Sequence, residues 1–500
     1  MRKSTTIGDV LRPTVTSAPN SPAVEAVSGV LSYAELDDRA RRAAGALWSL
    51  GVRPGDRVAA CLPNDLDIVV AFHGAQRIGA IWAGIGEALS SAEQAGLHDL
   101  CEPTVTLAGA RYTVTSGSRI TTDRWAELLD RDESAPEVQI DVHAPAAIGF
   151  TSGTSGRPKA VVHSQHNLLL PGAVLRDSRG WGPSLRKGDS FPLTILNLMV
   201  LSPLLTAQAG GCAVIFDRRD SDGVIDWITS RRVTVWNGAP AQLYDLARRP
   251  DIDLGTLEEV WSGGADTSDA LCAEFEAAHG LAPRATYGLT EAPSVVSIDP
   301  PGRDHRPRAS GQVLGHLDVA AYDDDGHRLP AGELGEIKIA AAGDGRGDGW
   351  RPMLGYFDCG LKPIAETVMA TGDIGTVDDD GWLSVLDRKK LVIIRGGANV
   401  YPVEVERVIA TDPHVTRVAV YPVPDERLGQ RVAAVVESAD GDVDFDSLVG
   451  LCRRELSGYK VPEFWSRTKA LPVNAMGKVL RADLAEFVET SGEGVTVHVR

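Results

Sequence analysis

The chain has 500 residues, more than one compact core accommodates, so its length predicts about two or three domains. Its hydrophobic content of 43% and charged content of 24% are typical of a globular protein. The formal net charge of −18 argues against a general binder of nucleic acid or of anionic membranes. A polyanionic nucleotide would therefore need locally placed basic residues.

Neither the N-terminus nor the cysteines indicate an exported protein. The first residues, MRKSTTIGDVLR, lack the apolar segment of a signal peptide, and the most apolar run, 196–207, is short and interrupted by Pro203. The six cysteines include no C-x-x-C pair, which favours reduced thiols over a disulfide framework or a zinc site. These features predict a cytoplasmic protein without a membrane segment.

The first 300 residues predict alternating helices and strands. Ser32 and Glu35 form a capping box that opens an amphipathic helix, and Gly51 ends it. An apolar run at 57–62 predicts a strand, and a helical stretch follows over 65–77. The alternation continues with strands at 212–216 and 233–236. Short apolar strands between amphipathic helices predict an α/β architecture with a largely parallel sheet.

The remaining residues predict two smaller units. Over 300–350, prolines, glycines and acidic residues separate short strands such as 336–340, which indicates a small β-rich subdomain. After about residue 390 an α/β module begins, with Pro402 at the first position of a helix. Strands at 417–421 and 431–437 and a helix from about 444 follow. A module of roughly 110 residues can fold as its own domain.

The most informative stretch lies at 150–160 and reads FTSGTSGRPKA. Its glycines allow tight turns and close approach of backbone N–H groups, its hydroxyls add donors, and Lys159 adds a positive charge. Such a loop suits an anion, above all the phosphates of a nucleotide, although it is not a Walker A loop. A nucleophilic Ser152 or Ser155 with Lys159 as its base is the alternative.

Five further stretches carry chemistry: WSGGA at 261–265, ATYGLTE at 285–291, TGD at 371–373, DRKK at 387–390 and NAMGK at 474–478. Glu291 beside phosphates would suit Mg²⁺, which prefers one or two carboxylates plus phosphate oxygens. Asp373, expected directly after a tight turn, could accept hydrogen bonds from two ribose hydroxyls. Each stretch alone also has an ordinary interpretation, as a turn, a surface glutamate or an exposed lysine.

In this order and at these separations, TSGTSGRPKA, YGLTE, TGD, DRKKLVIIRGGANVYPVEVE and the C-terminal GK resemble the adenylate-forming superfamily, in its acyl-CoA synthetase branch. The resemblance covers nearly the whole chain, and the serine-hydrolase alternative explains none of the later motifs. It implies a large N-terminal adenylation domain over 1–387, with parallel α/β sheets and a β-rich subdomain. A hinge at 388–390 and a small mobile α+β C-terminal domain over 391–500 would follow.

The resemblance implies a role for each matching residue. The implied catalytic residues are Lys159, Thr290, Glu291 and Lys478, with Glu291 as the Mg²⁺ ligand and Lys478 bridging the carboxylate and the α-phosphate. Lys390 is the implied hinge residue. Residues implied to bind ATP or AMP and, at 396–397, coenzyme A are Thr151, Ser152, Gly153, Thr154, Ser155, Gly156, Gly263, Gly264, Ala265, Thr286, Tyr287, Gly288, Asp373, Arg388, Gly396 and Gly397.

The acyl pocket is expected along 191–200, with Ile195, Asn197 and Leu198 as its candidates. Many relatives carry an aromatic residue or a histidine here, whereas this position is aliphatic or Asn197. No aspartate for an α-amine is present, so a neutral, hydrophobic acid is favoured over an amino acid. The expected enzyme is an AMP-forming acyl-CoA ligase that uses ATP, Mg²⁺ and coenzyme A.

Three alternatives stay open. The unusual stretch 194–197 suits an enzyme that performs only the thioesterification of a preformed acyl-adenylate. A stand-alone ligase that loads a carrier protein is the second, and a non-catalytic nucleotide-binding relative is the third. The expected partners are a hydrophobic carboxylic acid or its acyl-adenylate and coenzyme A, with no nucleic acid and no membrane. The identity of the acid and the oligomeric state, a homo-oligomer included, are left open.

Overall fold

The computed structural model describes residues 6–113, 118–151, 158–263, 267, 269–343, 349–438, 443–473, 479–481, 484–490 and 497–498. In these ranges the strands, numbered in chain order, form four sheets. The first has nine strands, and its central strands are parallel. In spatial order it contains β15 (Gln312–Val313), β14 (Ala292–Ile298), β13 (Arg284–Leu289), β12 (Glu259–Ser262), β11 (Val235–Gly238), β9 (Arg186–Asp189), β10 (Cys212–Ile215), β1 (Pro22–Ala26) and β2 (Gly29–Ser32).

The second sheet is of the same mixed kind, with a parallel part and an antiparallel edge. Its strands are β19 (Leu361–Pro363), β18 (Gly355–Phe357), β8 (Lys159–Ser164), β7 (Pro145–Thr151), β4 (Ile81–Gly84), β3 (Arg57–Cys61), β5 (Val105–Ala108) and β6 (Arg119–Thr121).

Two smaller sheets follow in the chain. The third contains β16 (Leu317–Tyr322), β17 (Gly335–Ala341), β20 (Met369–Val377) and β21 (Leu383–Arg388), and it is the predicted β-rich subdomain. The fourth contains β23 (Ala398–Val400), β22 (Ile393–Arg395), β25 (Gly429–Glu437), β26 (Phe464–Thr468) and β27 (Val497–His498), with β24 (Arg417–Asp425) paired to β25.

Helices cover these sheets, and their boundaries follow local sequence signals. They are α1 (Arg12–Ser17), α2 (Tyr33–Ser49), α3 (Leu66–Arg77), α4 (Ser91–Cys101), α5 (Thr122–Asp130), α6 (Gln165–Arg179), α7 (Leu196–Met199), α8 (Leu205–Ala209), α9 (Ser221–Ser230), α10 (Pro240–Ala247), α11 (Asp269–His279), α12 (Pro402–Ile409), α13 (Phe445–Glu455) and α14 (Leu484–Thr490). A π-helix spans Val200–Leu204, and short 3-10 helices span Ile7–Asp9, Lys389–Leu391 and Gly458–Lys460. None of the helices found in the described ranges is long and apolar enough to cross a bilayer.

The capping box predicted for the first long helix is present. The Glu35 N–H donates to Ser32 Oγ at 3.3 Å, and the Ser32 N–H donates to Glu35 Oε2 at 2.8 Å. The largest apolar cluster contains the buried face of α2 together with residues of α3 and of both large sheets. The two sheets are therefore joined through one core, and this core fixes the strand ends that carry the predicted motifs.

The C-terminal residues have a core of their own. Ile393, Val405, Val432, Leu448 and Trp465 are all buried in one cluster confined to this unit. Its helix α12 begins at Pro402 as predicted, because proline suits a position whose N–H has no helical partner. The domain boundary at 388–390 stays a prediction.

One local expectation is wrong. The sequence predicted Asp373 after a tight turn, but Thr371–Asp373 lies inside β20. Gly372 has a φ of +73° there, and the pairing of β20 with β17 shifts register nearby. Gly372 therefore allows a local irregularity within the strand rather than a turn before Asp373.

Buried histidines predict acid sensitivity. Burial lowers the pKa of His73 to about 3 and that of His163 to about 4. Both lie below the unfolded value of about 6.5, so below that pH the unfolded chain binds more protons and stability falls. Above pH ~6.5 these groups should leave the free energy of unfolding, measured with urea, independent of pH. By pH ~4 His163 alone should have lowered it by on the order of 3 kcal/mol.

A double variant isolates this contribution. Changing His73 and His163 to leucine should flatten the pH dependence relative to the wild type, whereas changing the exposed His327 should not. An unchanged slope in the double variant would contradict the assignment.

Candidate active site

The predicted phosphate loop sits at the tip of the β7–β8 hairpin. Thr151 and Lys159 face each other as the last paired residues before the tip. The loop residues predicted to bind phosphate, Ser152, Gly153, Thr154, Ser155 and Gly156, lie outside the described residues. The hairpin nevertheless fixes both ends of the loop at one edge of the second sheet.

Three predicted motifs meet at Gly149 in β7. A Cβ atom at this position would lie 2.5 Å from Thr290 Cγ2 and 3.3 Å from Leu196 Cδ2. Only glycine leaves room for this contact. β7, which leads into the predicted phosphate loop, therefore contacts both the YGLTE motif and α7 of the predicted acyl pocket.

His163 fixes the same motif from the neighbouring strand. Its Nε2 lies 2.7 Å from the Thr290 carbonyl oxygen, and the side chain is fully buried in β8. Because burial lowers its pKa to about 4, the imidazole is neutral near pH 7 and donates its Nε2–H to this carbonyl. The bond ties Thr290 and the adjacent Glu291 to the hairpin of the phosphate loop.

Lys159 and Glu291 both lie near Tyr356. Lys159 Nζ is 5.1 Å from the centroid of the Tyr356 ring. Burial raises the pKa of Tyr356, and the negative charge of Glu291 raises it further. In the described part of the chain no ion pair involves Glu291, and this half-buried carboxylate lies near Tyr356, the ring that Lys159 also approaches. This arrangement fits a Mg²⁺ ligand that shares the ion with phosphate oxygens.

Asp373 is oriented by two neighbours. It accepts a hydrogen bond from the Tyr287 hydroxyl, and Arg388 Nε lies 2.6 Å from its Oδ1. The Asp373 carboxylate is almost fully buried. Burial of Tyr287 and the negative charge of Asp373 together raise the pKa of Tyr287 well above its usual value. The structure therefore brings together the predicted ribose ligand, the predicted Tyr287 and the predicted Arg388.

Gly263, the first residue of the segment predicted to border the adenine, is closely packed. A Cβ atom at Gly263 would lie 2.0 Å from Thr286 Oγ1, and the Thr286 hydroxyl donates to the Ser262 carbonyl at 3.0 Å. Gly264 and Ala265 lie outside the described residues. Gly288 lies in β13, between Tyr287 and Thr290 of the same motif.

The predicted acyl-pocket residues lie at the beginning of α7. Leu198 is buried, Ile195 is half-buried, and Asn197 Oδ1 is buried without a hydrogen-bond partner among the described residues. The helix continues into the π-helix Val200–Leu204, a feature that often marks functional sites.

The C-terminal candidates that the structure describes lie on other elements. Gly396 and Gly397 form the turn between β22 and β23, with φ values of +58° and +86°. Lys390 lies in the 3-10 turn after β21. Lys478 falls outside the described residues, so its implied role stays a prediction.

Two neighbours of the site were not predicted from the sequence. Neither His163 nor Tyr356 belongs to a recognisable motif, because each contacts a partner more than a hundred residues away in the chain. Only the pairing of β8 with β7 and β18 places them there.

Comparisons with known proteins identify the family. The model of the AMP-binding enzymes matches residues 11–347, and the model of their C-terminal domain matches residues 404–478. The chain belongs to the AMP-binding enzyme family. As the motifs predicted, it is an adenylate-forming enzyme of the acyl-CoA ligase branch.

Similar proteins extend over nearly the whole of this AMP-binding enzyme. A feruloyl-CoA synthase of Amycolatopsis sp is 31% identical, covering 93% of this chain and 96% of its own. The long-chain-fatty-acid–CoA ligase FadD13 of Mycobacterium tuberculosis (strain CDC 1551 / Oshkosh) is 30% identical, covering 96% and 98%. The structure of ATP-bound MatB from Rhodopseudomonas palustris superposes with a TM-score of 0.87 at 26% identity, covering 97% and 99%. These matches confirm the predicted fold class and support the use of ATP.

Removing the His163 bond should weaken nucleotide binding. In His163→Leu the Thr290 carbonyl loses its donor, which should cost about 1–3 kcal/mol of stability and loosen the Thr290–Glu291 turn. We expect calorimetry to show AMP affinity lowered about tenfold, the equivalent of ~1.4 kcal/mol.

His73→Leu is the matched control. His73 is equally buried but lies in α3, outside the predicted site. It should lose stability without losing AMP affinity. Wild-type affinity in both variants would show that the His163 bond does not support the site.

Proposed function

We propose that the enzyme converts a hydrophobic carboxylic acid to its coenzyme A thioester through an acyl-adenylate. The observation that carries this proposal is the contact at Gly149. At this contact β7, which leads into the predicted phosphate loop, packs against Thr290 and against Leu196 of the predicted acyl pocket. This supports a site where a nucleotide phosphate and a carboxylate would meet. The relatives named as CoA ligases support the same reaction class.

In the first step a carboxylate oxygen would bond to the α-phosphorus of ATP, and pyrophosphate would leave with its electron pair. Lys159 would balance the phosphate charge, and Thr290 would contact the α-phosphate. Asp373, oriented by Tyr287 and Arg388, would hold the ribose. Glu291 would hold Mg²⁺, which when bound neutralises phosphate charge and orients the leaving group.

In the second step the thiol of coenzyme A would attack the acyl carbon, lose its proton and release AMP. The adenylate makes this possible because AMP is a far better leaving group than oxide. We propose that the C-terminal unit changes position about 388–390 between the two steps. Lys478 would act in the first step and Gly396–Gly397 would border the thiol channel in the second.

Pyrophosphate release with ATP, Mg²⁺ and a panel of aliphatic and aryl acids tests the proposal, followed by mass detection of acyl-AMP and acyl-CoA. Release that depends on the acid, with acyl-CoA formed on addition of coenzyme A, is expected. Acyl-CoA formed only from chemically made acyl-adenylate would favour the thioesterification-only alternative, which the stretch 194–197 motivates. A purified carrier protein in place of coenzyme A tests the carrier-loading alternative.

Lys478→Ala should separate the two steps. Adenylation should fall at least about 100-fold, because a charge that stabilises the transition state is removed. Thioester formation from supplied acyl-adenylate should change far less. The exposed Lys469 of the same unit offers a control, and Lys469→Ala should leave both rates unchanged. Equal losses in both steps for Lys478→Ala would contradict its assigned role.

A further inference from the structure

His305 lies between two carboxylates that belong to different elements, an arrangement that we call the His305 bridge. Its Nδ1 is 2.9 Å from Oδ2 of Asp299, the residue that follows β14. Its Nε2 is 3.4 Å from Oδ1 of Asp269, the first residue of α11. A carboxylate oxygen only accepts hydrogen bonds, and a neutral imidazole carries a single N–H. Because both ring nitrogens face such an acceptor, only the protonated imidazolium satisfies both contacts.

One end of the His305 bridge is fixed to β13. Asp299 is buried, and its Oδ2 also accepts the N–H of Ala285 at 2.9 Å. The N–H of Asp299 donates to the Ala285 carbonyl in return, at 3.2 Å. Ala285 begins the ATYGLTE motif, and the next residue, Thr286, donates its hydroxyl to the Ser262 carbonyl. This end of the bridge is therefore anchored beside Thr286, a predicted nucleotide residue.

The other end of the His305 bridge reaches the segment between β12 and α11. Oδ1 of Asp269 faces two donors of the loop after β14, His305 Nε2 and the Arg308 N–H at 3.4 Å. Arg308 has a φ of +64°, a left-handed conformation that is uncommon for a residue other than glycine. Within the segment itself, the hydroxyls of Ser262 and Thr267 share a hydrogen bond. The start of α11, which follows the segment predicted to border the adenine, is therefore held to β13 through this loop.

The two carboxylates favour the protonated form of His305. The hydrogen bond to Asp299 raises the pKa of His305 above its ordinary value, the Asp299 charge and the contact with Asp269 raise it further, and burial opposes them. The contribution of the bridge to stability is therefore complete below pH ~6.5 and is lost as the pH rises through the folded pKa.

Asp299 and Asp269 are the charged groups that act most strongly on His305, and they come from two different elements. The other charged side chains on the surrounding elements are Arg179 of α6 and Arg284 of β13, which both contact Glu259, Arg306, which pairs with Asp378 and Asp380, and Arg303, Asp304 and Arg308 of the same loop.

We propose that His305 is a positioning residue whose imidazolium holds the start of α11 to β13, and that nucleotide binding weakens when alkaline pH removes its proton. The neutral ring can donate to one carboxylate only, and it keeps the shorter contact, to the buried Asp299. Asp269 then faces a ring nitrogen without a proton, so the start of α11 is held less firmly. This inference rests on the proposed function, because it concerns the nucleotide of the same reaction.

Calorimetry with AMP between pH ~6.5 and ~9 tests the effect on binding. His305→Gln keeps a donor but not the charge. Because the AMP phosphate itself titrates near pH ~6, the quantity compared is the ratio of wild-type to variant affinity at each pH. For His305→Gln this ratio should fall about threefold over the range, a modest change because Asp269 is 47% exposed and solvent screens its contact.

His327→Gln is the matched control. His327 also contacts an aspartate, but it is exposed and lies between β16 and β17 of the third sheet. The affinity ratio for this variant should stay constant with pH. A constant ratio for His305→Gln as well would overturn the proposal.

The titration of His305 in the ligand-free enzyme gives a direct test. Its ring signal in the NMR spectrum, assigned by its loss in His305→Gln, should have a midpoint above pH ~6.5. Asp269→Asn keeps the size and an acceptor oxygen but removes the charge, so it should move this midpoint to lower pH. Saturation with AMP should move the wild-type midpoint to higher pH, because AMP binding and protonation favour the same state.

Failure of the proposed function would look different from failure of the His305 bridge. In the first case the wild type would bind no AMP at any pH, and the ligand-free titration would still decide the bridge. A raised midpoint that Asp269→Asn lowers would support the bridge. A midpoint at or below pH ~6.5, or one that Asp269→Asn leaves in place, would overturn it.

Discussion

The contact between Gly149, Thr290 and Leu196 is the constraint on which the rest of the site depends. It joins β7 of the second sheet, which precedes the predicted phosphate loop, to the YGLTE motif of the first sheet and to the helix of the predicted acyl pocket. The large apolar core contains residues of both sheets and therefore fixes these elements relative to one another. The predicted site therefore lies where the two sheets meet, and its geometry is set by close packing rather than by any single loop.

Charge is distributed to suit a polyanionic ligand within an acidic protein. The chain carries a net charge of −18, yet Lys159 and Arg388 lie at the predicted phosphate and ribose positions. His163 contributes no charge, because burial keeps its imidazole neutral near pH 7. It serves the site by donating a hydrogen bond, which orients the carbonyl beside Glu291 without adding a competing cation.

The first sheet carries both a predicted nucleotide segment and a buried polar row. The carboxyl end of β12 leads to Gly263 of the predicted nucleotide segment, and Asp189, Asn237 and Trp261 form a buried row across β9, β11 and β12. The ion pair of Lys187 and Asp189 lies in the interior, where charges persist only when paired and hydrogen-bonded. The predicted nucleotide segment therefore begins next to a buried, ion-paired part of the sheet.

The sequence by itself determined the family, the fold class and most of the site candidates, because these depend on local patterns. Capping boxes, apolar strands, glycine-rich turns and the order of the motifs are all encoded within short stretches, as Ser32 and Pro402 illustrate. The tertiary structure alone decided that His163 supports Thr290, that Tyr356 lies near both Lys159 and Glu291, and that Trp261 packs with Leu201 and Leu205. These contacts join residues distant in the chain, and their partners are chosen by strand register and helix packing, which no local pattern specifies.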